Sequence, residues 1–188
     1  MIKTVYFPPL SVVQSLFKAG QIVIDAGEHY QKNSLRNRCY LASSQGKILL
    51  SVPLMKGKHQ QMPIRSVRIA YDFDWVSQHL RTIESNYKRA PYYEYFMPEI
   101  EKILQSHHRL LIDLNWDILL FTCRVFRWSP SIAYSIEFSK VEKQDIHSFH
   151  SIPYPQLFEN KFPFIPDLSI LDLLFCMGPQ IKYILPEE

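Results

Sequence analysis

A short apolar run, Ile22-Val23-Ile24, constrains the fold of this chain more than any other feature of its sequence. A continuous run of β-branched residues is typical of a strand that is buried on both faces of a sheet. Upstream, Leu10–Lys18 has its apolar residues at helical spacing, and Lys3–Phe7 reads as a strand that Pro8-Pro9 ends. We therefore predict an N-terminal strand–helix–strand unit with a parallel crossover, within an α/β fold built on a mixed sheet.

The rest of the chain continues with a hairpin and flanking helices. Asn37–Ala42 and Lys47–Pro53 are strand-like and flank a turn containing Gly46, which predicts the hairpin. Asp74 is a good N-cap for the helix that follows it. The further predicted elements are strands at Val67–Tyr71 and Ser131–Ser135 and helices at Trp75–Lys88, Tyr92–Ser106, Leu110–Arg127, Leu168–Met177 and Pro179–Leu185.

Length and composition indicate one domain. The chain has 188 residues, of which 47% are hydrophobic and 21% charged, so a sizeable core is feasible. We predict a single domain over 1–188, in which 1–71 is mainly sheet and 74–128 is helical. Residues 129–188 would form a C-terminal extension that packs back on the core.

Several classes of function are disfavoured by the sequence. A net charge of +3 without a long Lys/Arg run argues against nucleic-acid binding, and no apolar stretch is long enough for a membrane span. The cysteines at 39, 123 and 176 are far apart, which fits free thiols in the cytoplasm. No His/Cys spacing predicts a metal site, and no nucleotide-binding or hydrolase motif predicts a cofactor. The oligomeric state stays open.

The most promising site is a polar segment, residues 28–38, at the end of the predicted second strand. Ligands of open α/β sheets collect at the carboxyl ends of strands. Guanidinium groups bind phosphate or carboxylate, and a histidine can move protons near neutral pH. The candidate residues here are His29, Gln31, Lys32, Arg36, Asn37 and Arg38, with both arginines expected on one side of the strand and Asn37 on the other. The alternative is a solvated hairpin edge with salt bridges to Asp25 or Glu28.

Two further constellations have both a structural and a functional interpretation. Glu84 and Lys88 are spaced to pair along a helix, but with Tyr87 they would also line a pocket facing the polar segment. Ser169 and Asp172 fit a helix cap, yet Asp172 lies in an apolar helix and would alternatively aim its carboxylate inward. Histidine 79 on the Trp75–Lys88 helix reads as a core or surface residue rather than a ligand.

The ordered set of motifs resembles the WbqC-like protein family, closest to its Bacteroidetes-type branch. The residues that carry the resemblance are Tyr6-Phe7-Pro8-Pro9, Glu28-His29-Tyr30-Gln31-Lys32, Arg36-Asn37-Arg38, Leu50-Ser51-Val52-Pro53, Tyr87–Tyr93, Leu111–Asn115 and Leu168–Phe175. The resemblance implies a cytoplasmic enzyme of O-antigen or other surface polysaccharide biosynthesis, which transfers an amino-acyl (glycyl) or acyl group to a sugar. One departure is that Lys3-Thr4-Val5 stands where many members carry a His-Gln pair, so any role of that histidine is either absent or passes to another group such as His29.

The leading hypothesis is an enzyme that acts on a small anionic or nucleotide-linked sugar. His29 is the predicted general base, Arg36 and Arg38 bind the anion, and Gln31, Lys32 and Asn37 contact and orient the acceptor. Tyr87 and Lys88 would close the pocket, and Glu84 or Asp172 would hold the histidine tautomer. The second hypothesis is a non-catalytic carbohydrate-binding or scaffolding subunit of a glycan assembly complex. The sequence predicts no particular acyl donor.

Overall fold

The computed structural model describes residues 3–17, 21–56, 62–135 and 152–183. It combines helices with a parallel strand pair and an antiparallel hairpin, so the predicted α/β fold class is confirmed. In chain order the elements are α1 (Leu10–Phe17), β1 (Gln21–Asp25), β2 (Arg38–Ser43), β3 (Gly46–Ser51), α2 (Trp75–Tyr87), α3 (Tyr93–Gln105), α4 (Leu111–Val125), β4 (Ser131–Ser135) and α5 (Ile170–Met177). Short 3-10 helices cover Ile64–Ser66 and Gly178–Tyr183, the second in place of the helix predicted to begin at Pro179.

The strands form one parallel and one antiparallel pair. Strand β1 pairs with β4 in parallel, from Gln21 opposite Ser131 to Asp25 opposite Ser135. Strands β2 and β3 form the predicted hairpin, with Arg38 opposite Ser51. Within the described ranges the two pairs are separate ladders rather than neighbours in one sheet.

The N-terminal strand prediction is wrong. Residues 3–7 make no ladder; the Tyr6 amide donates to the Leu35 carbonyl at 2.9 Å, and Phe7 has a φ of 39°. The apolar pattern of this segment has another cause, because Tyr6 and Phe7 are both fully buried as anchors in the core. The parallel partner of β1 is therefore β4, and the crossover runs through the α2–α4 region instead of through α1.

Two other predictions of local structure have different outcomes. Val67–Tyr71 is not a strand, since its pairing is limited to isolated bridges such as Leu54 with Ile69. The N-cap of α2 is confirmed, with the Asp74 carboxylate accepting from the Ser77 amide at 3.0 Å. The sequence also predicts that Gly20 caps the C-terminal end of the Leu10–Lys18 helix, and that glycine lies outside the described residues.

A single hydrophobic cluster includes side chains from nearly every element, from Tyr6 in the N-terminal segment to Ile181 near the other end. Trp75, Phe121 and Phe175 are among its largest buried members. The C-terminal residues therefore pack on the same core as the N-terminal ones, while the division into one domain over 1–188 stays a prediction. No helix in the described part of the chain is long and apolar enough to cross a membrane.

Candidate functional site

The polar segment follows β1 and is fastened to its surroundings by backbone hydrogen bonds. The Ile64 amide donates to the Glu28 carbonyl at 2.7 Å, and the Tyr30 amide donates to the Met62 carbonyl at 3.1 Å. The Ala26 amide reaches the Ser135 carbonyl at 3.0 Å, which places the start of the segment at the carboxyl end of the β1–β4 pair. The segment is thus held in place at the sheet edge where the sequence predicted a site.

Arg36 forms a buried ion pair with Glu28. The Arg36 Nε donates to Glu28 Oε1 at 3.1 Å, a terminal guanidinium nitrogen contacts Glu28 Oε2, and both residues are less than a tenth exposed. Burial raises the pKa of Glu28, while the charges of Arg36 and Lys3 oppose that rise. Arg36 Nη1 also donates to Gln31 Oε1 at 3.4 Å. The salt-bridge alternative therefore applies to Arg36, whose charge is already matched by a carboxylate.

Asn37 is likewise engaged in the interior. Its Nδ2 donates to the Val52 carbonyl at 2.8 Å, and its Oδ1 accepts from the Tyr30 hydroxyl at 2.9 Å. The predicted role of Asn37 in orienting an acceptor gains no support from these contacts. Cys39 is buried with it, and burial raises the pKa of the Cys39 thiol to about 12, so this thiol stays protonated and is a poor nucleophile.

Arg38 differs from Arg36 because no ion pair or hydrogen bond engages its guanidinium within the described residues. Its side chain is half-buried at the start of β2, and its buried Nε has no hydrogen-bond partner in that part of the chain. Burial raises the pKa of Tyr30, and the positive charge of Arg38 opposes that rise, so the guanidinium lies near the Tyr30 phenol. His29 and Lys32 are exposed on the same segment, and His29 forms a backbone bridge with Pro63.

A second polar cluster surrounds Asp172, which the inward-facing alternative anticipated. The Tyr87 hydroxyl donates to Asp172 Oδ1 at 2.6 Å, and the Tyr154 hydroxyl donates to Asp172 Oδ2 at 2.7 Å. Gln156 Nε2 adds a longer contact of 3.4 Å, and the carboxylate is fully buried. Burial raises the pKa of Asp172, and the hydrogen bonds from the three donors oppose that rise. Tyr87 also accepts from the Ala42 amide at 2.8 Å, so its hydroxyl is saturated within the core.

Glu84 and Lys88 form the helix-surface pair that their spacing allows. Lys88 Nζ donates to Glu84 Oε1 at 2.8 Å, and both side chains are about half exposed or more. Glu84 also lines a shallow groove of about 460 Å³ between α2 and α3, together with Tyr93 and Glu101. No residue of the polar segment lines this groove. The roles predicted for Glu84, Tyr87, Lys88 and Asp172 around His29 thus gain no support from the contacts seen.

The structure adds two residues to the polar segment that sequence reasoning missed. Asn115 of α4 donates from Nδ2 to the Arg36 carbonyl at 2.8 Å, and Lys3 lies near enough to Glu28 for its charge to affect the pKa of that carboxyl. Both line a cavity of about 20 Å³ beside α1 and β1. The available signal was a lone amide among the apolar residues of the Leu111–Asn115 motif. No group of three His, Cys, Asp or Glu side chains in the described ranges is placed to hold a metal ion.

The family model described as the WbqC-like protein family matches residues 4–152, which include the polar segment, the hairpin, the helices α2 to α4 and Asn115. This chain belongs to the WbqC-like family. The predicted family is confirmed, while the Bacteroidetes-type branch stays a prediction.

Among curated proteins, the chain is similar to "Uncharacterized protein Rv1507c" of Mycobacterium tuberculosis, with 27% identity over 140 residues. That match covers 73% of this WbqC-like chain and 60% of the relative, so the chain spans less than two thirds of the relative's length. No solved structure matches the chain.

Proposed function

We propose that this WbqC-like protein is a cytoplasmic enzyme of surface polysaccharide biosynthesis that modifies a small anionic, nucleotide-linked sugar. The proposed reaction is transfer of an acyl or amino-acyl (glycyl) group to the sugar. The proposed site is the exposed side of the polar segment, where His29, Lys32 and Arg38 lie within a few residues of one another in sequence.

The observation that carries this proposal is the contrast between the two arginines. Arg36 is neutralised by Glu28 in the interior, whereas the half-buried Arg38 has no carboxylate partner in the described part of the chain. A guanidinium that is partly desolvated and unpaired favours a phosphate or carboxylate ligand, which it can hold in bidentate geometry. The Glu28–Arg36 pair would hold the backbone of the segment in the shape that presents Arg38.

Within this proposal His29 is the general base, because its exposed imidazole can take a proton from an attacking hydroxyl or amine. Lys32 and Gln31 are exposed beside it and would orient the acceptor. Arg36 and Asn37 are positioning residues, acting through the backbone they fix.

Binding tests the anion site directly. Titration calorimetry with UDP-N-acetylglucosamine, GDP-mannose and dTDP-glucose should reveal one that binds, and Arg38→Met should weaken that binding by about 10- to 100-fold because a charge-assisted hydrogen bond is lost. Lys102→Met removes an exposed cation on α3 and should leave affinity unchanged. Equal affinity in the Arg38→Met protein would remove Arg38 from the site.

Turnover tests the enzyme. The protein is incubated with the bound nucleotide sugar and either acetyl-CoA or glycine with ATP, and the sugar product is sought by mass spectrometry. His29→Ala should lose product formation while it keeps the wild-type sugar affinity. A variant with full activity would exclude His29 as the base.

The second candidate, a non-catalytic carbohydrate-binding subunit, is favoured by one observation. Tyr40 is 37% exposed and lies on the same face of β2 as Arg38, opposite the exposed Leu49 of β3. Aromatic faces suit stacking on sugar rings. Sugar affinity that depends on Tyr40 and Arg38, without turnover with any donor, would favour this candidate over the enzyme.

A further inference from the structure

A small cavity lies behind the polar segment and outside the site proposed above. It measures about 20 Å³ and has apolar walls from α1, β1 and α4, including Val12, Ile22 and Leu119. About 10–15 Å³ of such space holds one water-sized group, so the cavity admits one or two non-hydrogen atoms of a ligand beyond its mouth.

A buried amide oxygen at this cavity has no partner. Asn115 lines the cavity and is 2% exposed, and its Nδ2 donates to the Arg36 carbonyl at 2.8 Å. That bond fixes which end of the amide is nitrogen and leaves Oδ1 as the other end. Within the described residues Asn115 Oδ1 accepts no hydrogen bond. A buried carbonyl in an otherwise apolar cavity calls for a hydrogen-bond donor on whatever occupies it.

Lys3 gives the cavity a positive charge on its solvent side. It lines the same cavity, and its side chain is exposed. Within the described part of the chain it has no carboxylate within ion-pair distance, unlike the Arg36 guanidinium. A cationic ligand tip would be disfavoured here, because the walls desolvate it and Lys3 repels it.

We propose that this cavity binds a short aliphatic carboxylate whose far end is a neutral hydroxyl. The hydroxyl and the carbon that bears it enter the cavity, where the hydroxyl donates to Asn115 Oδ1, and the rest of the chain extends out through the mouth and places the carboxylate at Lys3 Nζ. This inference goes beyond the proposed function and does not require Arg38 or His29 to act on a sugar.

The test compares matched ligands that differ in one group. Isothermal titration or ligand-detected NMR is run with 3-hydroxypropionate, 4-hydroxybutyrate and 5-hydroxypentanoate, and with butyrate and 1,4-butanediol as controls. One hydroxy acid should bind at least about tenfold more tightly than butyrate, which lacks the donor, and than the diol, which lacks the anion. Butyrate binding as well as the hydroxy acids, or no saturable binding by any of them, would mean that the cavity holds only water and would overturn the proposal.

Variants assign the two ends of the ligand. Lys3→Met changes an exposed side chain and should weaken binding of the hydroxy acid about tenfold, while the diol is unaffected. Asn115→Leu should abolish the preference for the hydroxy acid over butyrate, and if that protein does not fold, Lys3→Met carries the test alone. Unchanged hydroxy-acid affinity in Lys3→Met would overturn the proposal. Arg38→Met separates the two sites, since it should affect only nucleotide-sugar binding.

Discussion

Arg36 and Arg38 show how two residues of one type, two positions apart, acquire different chemistry. The sequence could predict that an arginine of this segment binds an anion, and it also left open a salt bridge to Glu28. It could not predict which arginine pairs with Glu28, because which guanidinium is buried depends on how the segment folds against Ile64 and Asn115. Asn37 similarly reads as a polar contact in sequence and is a saturated interior amide in the structure.

The buried histidine of α2 makes a prediction at the residue scale. His79 Nδ1 lies 3.0 Å from the Tyr6 hydroxyl, and burial lowers the pKa of His79 to about 4, although its hydrogen bond to the Ser51 backbone opposes that shift. The unfolded chain, with a histidine pKa of about 6.5, therefore takes up the proton first as the pH falls. The contribution of neutral His79 to the free energy of unfolding is therefore complete above about pH 6.5, and about 3 kcal/mol of that free energy is lost as the pH drops to about 4.

Urea denaturation at a series of pH values between about 7.5 and 4 measures this loss. His79→Gln lacks the titrating group, so its free energy of unfolding should fall less steeply over the same range. Parallel curves for the two proteins would contradict the assignment to His79.

At the scale of elements, local patterns predicted the helices and the hairpin better than the N-terminal strand. The helices and the hairpin have their own signals, such as the Asp74 cap and the turn at Gly46. The segment at Lys3–Phe7 has the composition of a strand, but a strand exists only if another strand lies beside it, and local sequence does not encode that neighbour. Its aromatic residues serve instead as anchors in the core.

The Asp172 cluster joins three elements and predicts a measurable cost. Tyr154→Phe removes the short bond to Asp172 Oδ2 and leaves that oxygen only the longer contact from Gln156. Leaving a buried carboxylate oxygen underbonded should lower the free energy of unfolding by about 1–3 kcal/mol. Tyr95→Phe is the matched control, because Tyr95 is 74% exposed and should tolerate the change. Chemical denaturation measures the free energy of unfolding of both variants. Equal values for Tyr154→Phe and Tyr95→Phe would contradict a stabilising role for the Tyr154 hydroxyl.

At the scale of the whole molecule, contacts between distant parts of the chain organise the fold. Ser169 Oγ donates to the Phe7 carbonyl at 3.0 Å, and the Ser169 amide donates to the Tyr40 carbonyl at 2.7 Å. The sequence predicted that the C-terminal part packs back on the core, but it could not predict these hydrogen-bond partners. Ser169, for example, is fully explained by its local role as the N-cap of α5, so nothing in the sequence points to its distant contacts. The return explains how the short helix α5, too short to be stable alone, is held in place.

Gly178 provides the test of that return. It has a φ of 52° at the end of α5, where an added Cβ would overlap the Tyr92 ring, whose own amide donates to the Phe175 carbonyl at 3.0 Å. Gly46 also has a positive φ, 103°, but open space around it. Both glycine-to-alanine changes strain the backbone, by about 1–2 kcal/mol, and Gly178→Ala should cost about 1–3 kcal/mol more because the ring must move.

Guanidinium chloride unfolding of Gly178→Ala and Gly46→Ala measures the difference between the two sites. Combining Gly178→Ala with Tyr92→Leu removes the ring and should make the extra cost of the alanine smaller than in the wild-type background. Gly178 joins α5 to the final 3-10 helix. If Gly178→Ala loses more stability than Gly46→Ala, and if Tyr92→Leu reduces that extra loss, the strain lies at the contact between α5 and the start of α3. Equal costs for both glycines, or a cost that the Tyr92 change leaves intact, would mean that this close approach does not hold the C-terminal part against the core.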